Sequence, residues 1–443
     1  MANVLIAILK NADRVALRQT LNGMNTVDIA AELERMDKSD VIIVFRILSK
    51  DKAADVFAYL NPDVQQDIIE SITDREIGGI IDELFLDDAV DFIEEMPAGV
   101  VKRVLANATP DRRRLINSLL QYPEDSAGSI MTIEYVDLKS DITVAEAFAH
   151  IRSTGTDKET IYTCYVTDNA RRLIGVVSAK TLFISDKNKL IQEVMEPNII
   201  SANTHDDKEE LTNNFRKYGF IAIPVVDNEN RLVGIVTFDD ALKIQEEETT
   251  EDFEKMAAMS PSEEPYLKTG IFTLSKNRVT WLFLLNLSVF ITGSVMMIFK
   301  NVSAALPVLA TFIPMLMDTS GDAGSQSSTL IIRGMALDEI RLSDFFAVMW
   351  KELRVSLICG GVLAVINFLR AVIFGFDAGV ALTASLALLT ATVMAKVVGA
   401  LLPLGAKIVK LDPAVMAGPV LTTLVDTASL IVYFSLAKII LRV

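Results

Sequence analysis

Residues 413–440 read PAVMAGPVLTTLVDTASLIVYFSLAKII. The run is long enough to cross a bilayer, which takes about 20 mostly apolar residues. It nevertheless carries an acid, Asp426, in its middle, and a central Asp costs about 2.5–3.5 kcal/mol on insertion scales. An acid kept at that cost points to an ion or substrate path. Thr422, Thr423, Thr427 and Ser429 surround it with small oxygen-bearing side chains. Gly418 and Pro419 stand upstream, where they loosen a helix and free carbonyls toward a cavity. Oxygen donors around one hard carboxylate suit a hard cation rather than a soft metal. The plain alternative is a buried Asp hydrogen-bonded to a neighbouring helix.

Four further apolar stretches precede this one. Residues 279–299 form an unbroken span behind Lys268, Lys276 and Arg278. A second stretch starts near Ala304, includes PVLATFIPMLM, breaks into DTSGDAGSQSST at 318–329 and resumes as LIIRGMAL. Residues 345–374 include Lys351, Glu352, Arg354 and Arg370, so only their later part need span, and 380–404 form the fourth span with Lys396 inside. Arg333, Arg341, Lys351 and Arg354 follow the second span, and Lys407 and Lys410 follow the fourth. The positive-inside rule puts these loops and the N-terminus on the cytoplasmic side. The expectation is a five-helix α transmembrane domain over 276–443 with its short tail outside. The polar stretch 318–329 is tolerated at membrane depth only beside a cavity or inside protein; an ordinary helix end is the alternative. Asp318 and Asp322 from it, with Gly418, Thr422, Thr423 and Asp426, are the predicted lining of a polar path.

The first 265 residues differ in kind, with no long uncharged run. Residues 266 onward hold 14 basic and 9 acidic side chains, so of the chain's net −16 the earlier part carries −21. Such a surface repels itself unless something neutralises it, and divalent cations are one candidate. It lacks the basic patch that nucleic acid needs. Two cysteines, Cys164 and Cys359, and two histidines, His150 and His205, lie far apart; neither a disulfide framework nor a zinc site follows. The opening MANVLIAILKNADRV has no basic region before its apolar run and does not read as a signal peptide.

Residues 1–125 read as short helices only, with apolar residues at helical spacing and turn punctuation at 61–63, Asp74 and Pro97. Ser49, Asn61 and Asp87 are candidate N-caps. The pattern suggests antiparallel helices stacked as a small all-α superhelical N domain. Asp87 and Asp91 fall on one helix face, with a solvated face as the alternative. Residues 126–245 hold a repeat: Leu173-Ile174-Gly175 and Leu232-Val233-Gly234 match 59 residues apart. Each half reads as strand, helix, two strands around an Asp-Asn turn, and helix. Residues 239–265 then form a helix dense in acid, including Asp239, Asp240, Glu246, Glu248, Glu251 and Asp252. Like charges four apart destabilise a helix, so the run favours cations between it and another surface, at the place where the soluble part meets the membrane.

The runs VMEPN, IPVVD and LVGIVTFDD make 126–245 similar to an α+β tandem pair of cystathionine-β-synthase (CBS) domains, a regulatory module that often binds adenine nucleotides; ATP is therefore a candidate ligand. The whole order of parts, together with SGDAGSQSSTLIIRGMAL and LDPAVMAGPVLTTLVDTASLIVYF, resembles the MgtE family of bacterial magnesium channels. The resemblance implies a multi-pass cell-membrane homodimer with the domains 1–125, 126–245, a connecting (plug) helix at 246–275, and 276–443. It implies a pore between the second and fifth spans, Asp426 binding hydrated Mg2+ from both subunits, and cytosolic acids that lock the plug helix when Mg2+ is replete. By position those acids are Asp240, Glu248, Glu251, Asp252 and Glu209, with Asp87 and Asp91 in the N domain. The chain departs from the family at Asp322, commonly Asn, and at Lys243 and Gly219, where some members carry sensor acids. No nucleophile–base pair, phosphate loop or metal-ligating His set points to an enzyme. A reading of another class is a membrane-anchored nucleotide sensor without transport; Asp426 and the polar second span argue against it, since an anchor needs neither.

Overall fold

The computed structural model describes residues 14–262, 266–267 and 269–442; Lys268 and the opening 13 residues lie outside it. The chain divides into two compact units, 1–245 and 246–443.

Among the described residues the first unit begins with nine short helices: α1 Arg14–Gly23, α2 Thr26–Leu33, α3 Lys38–Phe45, α4 Lys50–Ala58, α5 Pro62–Ser71, α6 Asp74–Glu83, α7 Leu86–Glu94, α8 Ala98–Asn107 and α9 Pro110–Leu119. Polar and proline punctuation sets the lengths. Asn61 precedes α5 with Pro62 at its first position, and Thr73 opens α6 in a reciprocal capping box with Glu76. Ser49 precedes α4 as expected. Asp87 does not stand at the N-cap position, which Phe85 occupies without a side-chain capping bond; Asp87 lies in the first turn of α7 and is buried. Each of α2, α4 and α6 packs on the next helix but one, so alternate helices stack, as in a solenoid. Phe57 and Phe92 meet edge-to-face at 5.0 Å in their core.

The repeat folds as two three-stranded sheets. β1 Asp137–Lys139, β2 Thr163–Thr167 and β3 Leu173–Ser178 form one; β4 Ala202–Asn203, β5 Ala222–Val226 and β6 Leu232–Thr237 form the other. In each the first pair is parallel, joined through α10 Val144–Thr154 or α13 Lys208–Tyr218, and the second is an antiparallel hairpin. The turns match atom for atom. Asp168 Oδ1 accepts from the N–H groups of Ala170 and Arg172 at 2.8 Å, and Asp227 Oδ1 from Glu229 and Arg231 at 2.8 and 2.9 Å. Arg171 and Asn230 both take positive φ, and the two turns pair with each other, Leu173 N–H to Asn230 O and Leu232 N–H to Arg171 O. Short helices α11 Ala179–Ile184 and α12 Ile191–Val194 complete the first half, and α14 Phe238–Met256 follows the second. Thus α14 already contains Asp239 and Asp240, and it stops at Met256, before Ala258 takes φ 58°.

The second unit holds five long helices: α15 Ile271–Ile298, α17 Ile313–Ala336, α18 Phe345–Ile373, α19 Ala378–Ile408 and α20 Pro419–Leu441, with short α16 Lys300–Ala305 between the first two. Among the described residues four segments are long and apolar enough to cross a membrane: Ile271–Ile298, Leu342–Ile373, Ala378–Ile408 and Ala414–Leu441. The outward side chains of α15, such as Leu282, Phe283, Val289 and Phe290, are exposed apolar groups, a surface suited to lipid.

Two expectations are corrected here. The polar stretch 318–329 is not a break, because α17 runs through it as continuous helix; the irregular turn lies earlier, at Pro307–Phe312. The physical reason is packing. Ser320 returns its hydroxyl to Leu316 O at 2.7 Å, and the backbone of Gly324 meets Gly399 of α19 so closely that any Cβ at Gly399 would collide with it. Small residues here let two helices touch. Residues 413–440, conversely, are not one helix. A turn at Ala414–Met416 leads to Gly418, which is non-helical (φ −100°, ψ −93°), and α20 starts at Pro419. The Gly418 carbonyl is not freed: it accepts from Thr422 N–H at 3.1 Å and from the Thr422 hydroxyl at 3.2 Å. Gly399→Val should wedge the α17–α19 crossing apart, a cost of about 1–3 kcal/mol, read as a lowered Tm of the detergent-solubilised protein.

Candidate functional site

In the second unit, α17 and α20 lie side by side. Gly324 faces Leu421, Gly321 faces Thr422, and Ser429 donates to Ser320 at 3.1 Å. Residue numbers rise on one helix as they fall on the other, so the pair is antiparallel. Asp426 sits on α20 between these contacts, one carboxylate oxygen buried with no hydrogen-bond partner. Next to it, Thr427 approaches Thr292 of α15 at 3.4 Å. On α17, Asp318 and Asp322 are exposed and four residues apart, hence on one face. Lys396 of α19 is buried and donates to Gln326 Oε1 at 3.2 Å. Ser327 donates to Glu352 at 2.7 Å. A buried carboxylate oxygen without a partner calls for a cation.

A second acidic site lies in the first unit, where α7 meets the start of α14. Glu134 anchors it, accepting from Leu86 N–H and Thr132 Oγ1 on one oxygen (2.9 and 2.7 Å) and from Arg112 on the other (2.9 Å). Glu159 is carried to the same place by its N–H bond to Glu134 O at 2.8 Å, and its own Oε2 is buried without a partner. Burial, then neighbouring carboxylates, raises Asp87, Asp88, Glu159 and Asp240. Asp88 is pushed up to about 7 by burial and by Asp240 and Asp91. Glu159 rises to about 8 by burial and by Asp88 and Asp240. Asp240 rises to about 6 by burial, against a 2.5 Å hydrogen bond from Thr237 that favours its charge. Asp87 stands well above the ordinary carboxylate range, for burial first and Asp88 second. Lys243 joins Arg112 as a cation of the chain's own here: its Nζ bonds Asp91 Oδ2 at 3.1 Å.

The far end of α14 belongs to the second unit and is held there. Lys255 bridges Glu251, one turn back, and Asp412 at 2.7 Å, ahead of α20. The Met256 carbonyl lies so near Gly418 that a Cβ there would be 2.6 Å from its oxygen. A third feature is a cleft of about 380 Å3 between the two halves of the repeat, lined among others by Tyr165, Val176, Ser178 and Pro224. Among the described residues no three His, Cys, Asp or Glu side chains are grouped to hold a metal ion by themselves.

Three family models match in the order of these parts: the MgtE intracellular N domain over 24–125, CBS domains over 127–185 and 191–247, and a divalent cation transporter domain over 313–436. The chain is 35% identical over 440 residues to the magnesium transporter MgtE of Thermus thermophilus, covering 98% of this chain and 97% of that one. It belongs to the MgtE family of magnesium transporters. A second MgtE, from Bacillus subtilis, is 28% identical over 98% of the chain and 96% of its own length. The cytosolic domain of an Mg2+ channel MgtE crystallised with ATP superposes with TM-score 0.53 at 35% identity, over 55% of this chain and 100% of that one.

Of the acids expected from the MgtE resemblance, the structure brings Asp87, Asp91 and Asp240 together. Glu248, Glu251 and Asp252 follow on the later part of α14. Glu209 opens α13 behind its N-cap Asp207 and is not among the acids that dominate the field at the cluster. Sequence reasoning missed Glu159 as a member. It lies in an irregular segment between α10 and β2, where no periodicity marks it. Asp88 was visible beside Asp87 but not as a buried acid, and the Lys255–Asp412 pair joins residues 157 apart.

Proposed function

We propose that this MgtE transporter works as a homodimeric magnesium channel of the cell membrane, with cytoplasmic N-terminus, whose pore is lined by α17 and α20 and closed by Mg2+ bound at its acidic cytosolic cluster. The observation that carries the pore is Asp426: a carboxylate oxygen buried without a partner, on a helix flanked by Asp318, Asp322, Thr422 and Thr423. Mg2+ gives up its waters reluctantly, so one carboxylate per subunit holds it hydrated and loosely enough to release it, as conduction requires. In this reading α17 is the remaining crossing helix. Its acids face the partner copy across the path, and the basic residues at 276–278, 333–354 and 407–410 lie on the cytoplasmic side.

The acidic cluster supports feedback. Its carboxylates are packed together at the cost of their charge, and a divalent cation among them favours that packing over the separated one, shifting the population. Helix α14 links the cluster to the segment before α20. Its role as a plug is supported by the Lys255–Asp412 ion pair and the Met256–Gly418 contact. Lys255→Ala should raise the internal Mg2+ needed for half-closure several-fold, measured by flux. The cleft in the CBS pair is proposed to take an adenine-containing ligand, in line with the related cytosolic domain solved with ATP. The experiment that tests the whole is Mg2+ flux into proteoliposomes of defined orientation as internal Mg2+ is varied. Flux at low internal Mg2+ that falls at high supports pore and sensor. Flux insensitive to internal Mg2+ removes the sensor, and no flux from folded protein removes the pore.

A further inference from the structure

Lys396 lies inside α19, a membrane-crossing helix, and is 6% exposed. Its Nζ donates to Gln326 Oε1 at 3.2 Å, and among the described residues no carboxylate forms an ion pair with it. Glu352 of α18 accepts the hydroxyl of Ser327, the residue after Gln326, instead. A buried ammonium bonded to one neutral group is costly, and an apolar side chain of similar length would serve packing as well or better. A charge kept at such a depth points to an ion path.

The partner of this ammonium stands in the row that carries the acids. Asp318, Asp322 and Gln326 are exposed and spaced four apart on α17, hence on one face. Thr329 and Arg333 continue the exposed polar row toward the end of the helix. Lys396 reaches the row from behind, because α19 packs on the buried side of α17, Gly399 against Gly324. At a rise of about 1.5 Å per residue, Gln326 is about 6 Å along α17 from Asp322 and about 8 Å from Gly321. Gly321 is level with Thr422, one turn before Asp426. A charge at that range, set in packed protein rather than in water, acts on a cation at Asp322 or Asp426 with less screening than in bulk.

We propose that Lys396 is a determinant of permeation, a tethered ammonium on the cytoplasmic side of Asp426 that weakens the hold of the path on Mg2+ and so speeds its release. This rests on the reading of α17 and α20 as the pore lining of a homodimer. Asp318, Asp322 and Asp426 bring three carboxylates from each copy to one path, enough to trap a divalent ion. Conduction needs binding weak enough to let the ion leave. Lys396 offsets one of those three charges in each subunit, and its repulsion grows with the charge of the ion, so it acts on Mg2+ more than on a monovalent ion.

The test is Mg2+ flux into proteoliposomes holding the full chain, at low internal Mg2+, as external Mg2+ is varied. Lys396→Gln should lower the half-saturating Mg2+ about fivefold and lower the maximal rate about as much, because the ion is held longer. Lys396→Arg, which keeps the charge, should not tighten binding. A lysine with a packing role alone gives another split, less flux at unchanged half-saturation. Should Lys396→Gln fail to fold, Lys396→Met, which keeps the length of the side chain without its charge, carries the same comparison. Half-saturation unchanged or raised in the uncharged variant, a maximal rate that does not fall, or equal tightening in Lys396→Arg overturns the inference and leaves the Asp426 path standing. No flux from the folded wild type overturns both.

Discussion

Asp426→Asn lowers Mg2+ flux into proteoliposomes at least about 100-fold while the protein remains folded. The substitution keeps shape and removes one charge, so packing of α20 on α17 survives through Ser429–Ser320 and Gly321–Thr422. What is lost is the attraction for a divalent ion. At an effective dielectric of about 20, a unit charge about 5 Å from a doubly charged ion contributes about 6–7 kcal/mol. A symmetric dimer loses that twice, and a 100-fold effect needs less than half of one such interaction. Equal flux from wild type and Asp426→Asn would remove Asp426 from the path.

The second large effect concerns the acidic cluster. In metal-free buffer the amides of α7 lose hydrogen-exchange protection, corrected for intrinsic rates, as pH rises from 6 to 9. Burial raises Asp88 to about 7, Glu159 to about 8 and Asp240 to about 6, whereas separated acids titrate near 4. The sign follows from linkage. A raised acid holds its proton in the packed state, so packing is fully favoured below about pH 4 and weakens as pH passes through 6 to 8, where each acid ionises against its neighbours. The loss is about 3 kcal/mol, somewhat more than 100-fold in protection. Millimolar Mg2+ at pH 8 restores it. Asp88→Asn flattens the pH profile, keeps α7 protected without Mg2+, and closes the channel at lower internal Mg2+. Protection independent of both pH and Mg2+ would separate this cluster from gating.

Much of the architecture is local information. Repeated turn chemistry at Asp168 and Asp227, with matching glycines at 175 and 234, specifies two copies of one unit before any contact is known. Short helices that start after Ser49 and Asn61 follow from spacing and punctuation, whereas Asp87 lies inside its helix. Asp426 stands out because an acid in an apolar run is costly wherever that run packs. The polar stretch 318–329 misled for the converse reason. Glycine and serine weaken an isolated helix, but between helices they are the residues that allow contact, and only the presence of Gly399 opposite Gly324 decides between the two.

The sequence by itself determined the division into an acidic helical part, a repeated α+β module and an apolar helical part, because composition and periodicity are summed along the chain. It also determined the family and Asp426, the acid in the middle of the last apolar run. Tertiary structure alone decided which acids meet. Glu159 and Asp88 join Asp87 and Asp240 across about 150 residues of chain, and Lys243 lies within reach of Asp91. Charge interaction and burial depend on distance in space and on solvent exclusion, and neither quantity is written in the order of the residues.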